Sequence, residues 1–211
     1  MRSRLFTSHL AVTTGVIMAF CLQSHAAFAD PAALITAFGD QTRRMLADTE
    51  LAPTDRQQRF HALVDKNFDF PVIVHFVLGR YWLTTADDVR QEFARVFEDY
   101  VIEGYAGRLN EYIGQSAAVT AEHAEGDRTT IVATRFAHAN GDPSTAVEWR
   151  VQTTTDGLKI TDVSVWGVSM ALSYREQFAA AIQRNGGQVA ALIPELRSKL
   201  TVRSADAASS R

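Results

Sequence analysis

Beyond residue 30 the apolar positions recur first at helical spacing, then alternate at strand spacing, then return to helical spacing. A first helix is predicted from Pro31 to about Glu50, with Asp30 as N-cap, Pro31 at N1 and an apolar stripe of Leu34, Phe38 and Met45. A second starts near Pro53. Its Phe60, Leu63, Val64, Asn67 and Phe68 fall at i, i+3, i+4, i+7 and i+8, one helical face. The run Val72 to Leu78, opened by Asp69 to Pro71 and closed by Gly79, is apolar nearly all round, so it must be buried on several sides or line a cavity. Thr85 to Asp88 resembles a capping box, with Asp where Glu is usual. The helix behind it carries Val89, Phe93, Val96, Phe97, Tyr100 and Val101 and stops near Gly104 or Gly107, before a short helical piece from Arg108 to Ile113.

Four strand-like runs follow, at about Ala117–Glu122, Thr129–His138, Thr145–Thr154 and Leu158–Val168. The turn sequences around Gly126, Asn140 to Pro143 and Asp156–Gly157 separate them, which predicts an antiparallel meander. Val147, Trp149 and Val151 alternate with Glu148, Arg150 and Gln152, one apolar face and one polar. In the fourth run Val163 and Val165 share one face, and Ile160 and Trp166 the other. A helix from about Ser169 to Arg184, capped by Asn185 and Gly186, precedes a last helix with Val189, Leu192, Ile193, Leu196 and Leu200, kinked or restarted at Pro194. Helices, then strands, then helices indicate one α+β domain rather than βαβ units.

The N-terminus decides the compartment. Arg2 and Arg4, the mostly apolar stretch from Leu10 to Leu22 and the small-x-small pattern Ala27, Phe28, Ala29 read as a secretory signal peptide over 1–29, cleaved before Asp30. The apolar run is shorter than the ~20 residues that span a bilayer. Cys21, the only cysteine, follows Phe20, where a lipoprotein signal has a small residue. The domain is expected over 30–203, with a disordered polar tail over 204–211. The whole chain has 21 Lys and Arg against 24 Asp and Glu, and cleavage removes two arginines. That acidic balance excludes a nucleic-acid partner, which needs a basic face. Without a cysteine the exported chain has neither a disulfide framework nor thiol chemistry.

Enzyme motifs are missing. There is no G-x-S-x-G elbow, no H-E-x-x-H, no S-x-x-K and no glycine-rich phosphate loop. His61, His75, His123 and His138 have no short ligand spacing, so no metal or cofactor is expected and no catalytic residue is assigned. One acid, Asp162, lies mid-strand. On a sheet facing a pocket it would serve a small cone-fold enzyme as base; bonded to backbone it is structural.

The run Phe70 to Trp82 (FPVIVHFVLGRYW) resembles the signature of the MlaC, or toluene-tolerance auxiliary ABC-transport, family. So do Glu92, Phe93 and Phe97 with Tyr105 and Leu109, the stretch Asp162 to Met170, the stretch Tyr174 to Phe178, and the closing Leu192 to Leu196 helix. The resemblance covers about residues 30–200. It implies a small four-stranded antiparallel sheet wrapped by helices, an NTF2-like cone with an apolar pocket. It implies a periplasmic phospholipid carrier between outer and inner membranes. Its partners would be an outer-membrane lipoprotein–porin complex and an inner-membrane ABC transporter complex. The Leu78–Trp82 form is similar to the hopanoid-associated HpnM branch, which makes a hopanoid or other polycyclic lipid an alternative cargo; an adaptor protein with a filled core is another reading. Trp166 departs from the family pattern, which has an acidic or small residue there, and a bulky ring is expected to narrow the pocket.

A lipid carrier must hide acyl chain, about 0.8 kcal/mol per methylene. The expected pocket residues are therefore the apolar and aromatic ones: Ile73, Phe76, Val77, Tyr81, Phe93, Phe97 and Tyr100 from the helices, Val147, Trp149, Val151, Val163 and Val165 from the strands. Arg80 and Arg175 are candidates for the rim or for docking surfaces, since a guanidinium suits an anionic head group.

Overall fold

The computed structural model describes residues 30–106, 116–137 and 144–209, the side chains of 106, 116 and 204–209 excepted. The expected signal peptide, the short helical piece at 108–113 and Leu109 lie outside the described residues.

Asp30 accepts hydrogen bonds from the amides of Ala32 (2.9 Å) and Ala33 (3.2 Å), and Pro31 has no amide to satisfy, so helix α1 starts there and runs Pro31–Ala47. Its deeply buried stripe is Ile35, Phe38 and Leu46, with Leu34 and Met45 at the margins. Helix α2, Pro53–Asn67, buries Phe60, Val64 and Asn67. Phe68 then turns extended and bridges to Ile160, and the Asp69 amide donates to the Ile160 carbonyl at 2.9 Å. Asp69 in turn caps α3, Phe70–Leu78, through the amide of Val72. Gly79 ends α3 at φ 51°, where a Cβ would stand 3.1 Å from the Arg175 guanidinium. After a 3₁₀ turn, Gly79–Thr84, helix α4 runs Asp87–Ala106. The Thr85 hydroxyl does not serve the predicted capping box. It donates backwards to the Tyr81 carbonyl at 2.6 Å, so the 3₁₀ turn has taken the cap's hydroxyl.

The sheet is a continuous antiparallel meander: β1 Ser116–Ala124, β2 Thr129–Ala137, β3 Thr145–Thr154, β4 Gly157–Val165 and β5 Val168–Ser169. It has five strands rather than the expected four. The run predicted to reach Val168 ends at Val165, because Trp166 (φ 53°) and Gly167 (φ 76°) form a two-residue hairpin that pairs Val165 with Val168. A bulge also changes the expected faces of β4. Arg150 pairs with Asp162 but Val151 pairs with Ile160, leaving Thr161 over. The extra residue resets the alternation. Ile160 therefore joins Val163 and Val165 on the inner face instead of lying opposite them.

Helix α5, Met170–Arg184, is capped by Ser169 Oγ on the Leu172 amide (3.0 Å). A 3₁₀ turn at Val189–Ala191 leads into α6, Leu192–Ser209. The restart precedes Pro194, which falls in the first turn of α6, where its missing amide costs nothing.

Two cores result. One lies between helices: Phe93 and Phe97 of α4 stack at 5.6 Å, and Phe178 of α5 meets both edge-on, with Val74, Val77, Leu78, Ile182, Leu192 and Leu196 around them. The other lies between α1, α2, the end of α4 and the inner face of the sheet. Helix α4 crosses from the first to the second. Asp162 joins the layers. Its carboxylate accepts from the Val163 amide (2.8 Å), the Ser169 hydroxyl (2.5 Å) and the Ala171 amide (3.0 Å), tying β4 to the start of α5.

Where α2 meets α4 the seam is polar. His61 Nδ1 lies 3.3 Å from Asp65 and Nε2 3.3 Å from Asp99, and Gln57 donates to Glu103. Burial pushes Glu98 up to about 8, helped by the Asp65 carboxylate and opposed by His61. Burial lowers His61, but Asp99, Asp65 and Glu98 outweigh it and the net shift is upward.

Two outcomes follow from these contacts. Replacing Asp162 by Ala, which strands two amides, should cost about 3 kcal/mol in urea denaturation, and Asp162→Asn about half of that. Glu98 holds a proton in the folded chain that the unfolded chain has already released, so stability should fall as pH rises from about 4.5 to about 8. With a chelator present, Glu98→Gln should flatten that slope and be the more stable protein near pH 8, by about 1 kcal/mol given the open surroundings.

Candidate functional site

The second core is not filled. Between α1 and the inner face of the sheet lies an apolar cavity of about 230 Å³. The sheet forms its back wall through Val147 and Trp149 of β3, Val163 and Val165 of β4, Thr134 and Phe136 of β2 and Ala117 and Val119 of β1. Phe60 and Val64 of α2 and Val101, Ile102 and Tyr105 of α4 close one side, with Phe68, Phe70 and Met170 between them. Helix α1 is the front wall, presenting Ile35, Phe38, Gly39 and Leu46.

Polar groups on the back wall neutralise one another. Trp149 Nε1 donates to Thr134 Oγ1 at 2.9 Å, and the Thr134 hydroxyl donates to the Val147 carbonyl at 3.1 Å. The Tyr105 hydroxyl donates to Met170 Sδ at 2.8 Å. On α1 the hydroxyls of Thr36 and Thr42 return to the carbonyls of Ala32 and Phe38. The charges on the cavity wall are Asp40 and Arg43, an exposed ion pair of 2.7 Å on α1. Among the described residues the site thus offers an apolar interior with one cation and one anion on its wall, and no nucleophile–base pair.

The structure divides the sequence-predicted residues. Val147, Trp149, Val163 and Val165 lie on the cavity wall. Val151 shares their core but is 1% exposed and paired with Ile160, deeper than the wall. The helical set lies elsewhere. Ile73, Val77, Phe93 and Phe97 are buried in the helix–helix core, because their apolar excess serves packing among α3, α4, α5 and α6. Tyr81 and Tyr100 pack at its margin, each under an arginine. Phe76 is half-exposed beneath Arg175, whose guanidinium lies 5.0 Å from its ring, and Arg80 stacks on Tyr81 at 4.9 Å. Arg80 and Arg175 thus belong to the α3–α5 surface and not to the cavity rim. Trp166 does not narrow the cavity; at positive φ on the hairpin tip it is 60% exposed and off the wall. Asp162 is off the wall too.

Missed from the sequence were Ile35, Gly39, Phe60, Val64 and Thr134. A glycine inside a helix costs roughly 0.5–1 kcal/mol relative to alanine, so Gly39 was the readable signal that α1 borders space.

The sequence model of the MlaC family, described as MlaC protein, matches residues 37–198. A phospholipid-binding protein from Ralstonia solanacearum, solved in complex with a phospholipid, superposes with a TM-score of 0.74 at 24% identity, covering 83% of this chain and 99% of that one. At that identity the likeness speaks for the fold, a mixed helical and antiparallel-sheet architecture. Among the described residues no helix is long and apolar enough to cross a membrane.

The Thr134 hydroxyl is the one polar group holding the back wall's indole. Thr134→Val keeps the shape but leaves the Trp149 N–H unpaired. It should cost about 2 kcal/mol in urea denaturation, and Thr134→Ser should recover most of it.

Proposed function

Because the chain belongs to the MlaC protein family, we propose that it is a phospholipid-binding carrier that holds acyl chain in the α1–sheet cavity and does no covalent chemistry. The observation that carries this reading is the cavity itself, an apolar interior in a second core beside a first one of deeply buried side chains. The superposable Ralstonia protein holds a phospholipid, which supports the choice of cargo.

The energetics suit a carrier. One sixteen-carbon chain represents roughly 12 kcal/mol of gross burial at about 0.8 kcal/mol per methylene. Spontaneous release into water is then slow, and transfer belongs on partners that offer an equally apolar path. Pockets for drug-sized ligands run from about 300 Å³ upward. The cavity here, about 230 Å³, admits part of one chain, and a second requires α1 to move off the sheet. The head group stays at the open side beside Asp40 and Arg43, where the guanidinium suits its phosphate.

The carrier works in the periplasm, shuttling lipid between outer and inner membranes. Its partners are the outer-membrane lipoprotein–porin complex and the inner-membrane ABC transporter complex. The exposed α3–α5 surface, with Val72, Phe76 and Leu172 beside Arg80 and Arg175, is the docking face we favour. A hopanoid cargo rested on the Leu78–Trp82 run. That run sits at the helix–helix core, away from the cavity, and a hopanoid or other polycyclic lipid stays the alternative cargo.

Gly39 gives a clean test. A Cβ there meets nothing within 4 Å, so Gly39→Trp should fold while filling the cavity. Lipid extraction and native mass spectrometry of protein from its own periplasm should find about one phospholipid per wild-type chain and at least tenfold less in Gly39→Trp. Equal lipid in a folded Gly39→Trp protein would sink the cavity assignment, and a polycyclic lipid in the wild type would replace the cargo.

A further inference from the structure

The polar α2–α4 seam carries a donor set that lipid binding does not use. His61 and Asp65 stand one turn apart on α2, and Glu98 faces them from α4. One ligand atom from each of these three residues lies within 4.8 Å of the others. Two ligands of a tetrahedral zinc ion at 2.0–2.1 Å are about 3.3 Å apart. The His61 Nδ1 to Asp65 Oδ2 distance is 3.3 Å, the separation two such ligands need. The other ring nitrogen faces the Asp99 carboxylate at 3.3 Å. A carboxylate on the far nitrogen is what fixes the tautomer and orientation of a metal-binding imidazole. Among the described residues no lysine or arginine forms an ion pair with Asp65, Glu98 or Asp99.

The geometry points to a divalent transition-metal site of the zinc type, formed by His61, Asp65 and Glu98 with water in the fourth position and Asp99 positioning the ring. The imidazole selects the ion. Calcium and magnesium take oxygen donors, whereas one nitrogen with two carboxylates suits zinc.

Such an ion would join the two helices whose opposite faces close the cavity. Phe60 and Val64 flank the site on α2, and Val101 and Ile102 follow it on α4. It is a staple across the seam that Gln57 and Glu103 also bridge. No sequence motif announces it, since the third ligand comes from a different helix more than thirty residues away.

The test uses the tag-free, chelator-treated chain, titrated with Zn²⁺ by calorimetry and with Co²⁺ by visible absorption. One ion per chain with micromolar Kd and a four-coordinate cobalt spectrum are expected. His61→Ala and the isosteric Asp65→Asn should each raise Kd about tenfold or more, Asp99→Asn by less, and His123→Ala not at all. No uptake by the wild type overturns the site, and so does unchanged affinity in folded His61→Ala and Asp65→Asn proteins. Neither readout involves lipid, so the carrier reading stands or falls separately.

Discussion

The unpaired Thr161 in β4 sets the inner face of the sheet. Strand side chains alternate, so a regular β4 would send Ile160 and Asp162 to the face opposite Val163 and Val165. The bulge between Arg150 and Val151 breaks that parity. Ile160 turns inward with Val163, opposite Val151 and Trp149, and its carbonyl receives the Asp69 amide where α2 gives way to α3. Asp162 stays on the other side, free to bind the start of α5. One residue thus lets the same short strand form a cavity wall and anchor two helical connections.

The division into two cores follows from this anchoring. The helix–helix core is dense with aromatic pairs, Phe93, Phe97 and Phe178 among them, and side chains at 0–2% exposure. Underpacking costs roughly 24 cal/mol per Å³ of cavity, so a space of about 230 Å³ carries several kcal/mol of penalty. A chain can carry that only if stability is supplied elsewhere, and the filled core supplies it. Helix α4 belongs to both, so the cavity's side wall is held by the dense half of the same helix.

Charge is kept at the edges of this arrangement. Arg80, Arg90, Arg175 and Arg203 each lie over an aromatic ring on the surface of the helical layer. Arg203 also donates to the Tyr100 carbonyl and hydroxyl, closing α6 onto α4. The cationic side chains thereby cover the ends of aromatic residues that could not be fully buried. The acidic seam between α2 and α4 lacks such cover, and burial together with the neighbouring Asp65 carboxylate makes Glu98 hold its proton.

The sequence by itself determined the order of helices, strands and helices, the antiparallel meander, the cap at Asp30 and the inward face of β3. Each depends on residues a few positions apart, where periodicity and capping chemistry act directly. It also carried the family signature. The tertiary structure decided the location of the cavity. Phe93 and Val147 are equally apolar on paper, and only the packing of four helices shows that the first fills a core and the second borders space. The bulge at Thr161, the outward turn of Trp166 and the meeting of His61 with Glu98 were decided there too. Each depends on a pairing between segments distant in the chain, and no local pattern records how such segments are brought together.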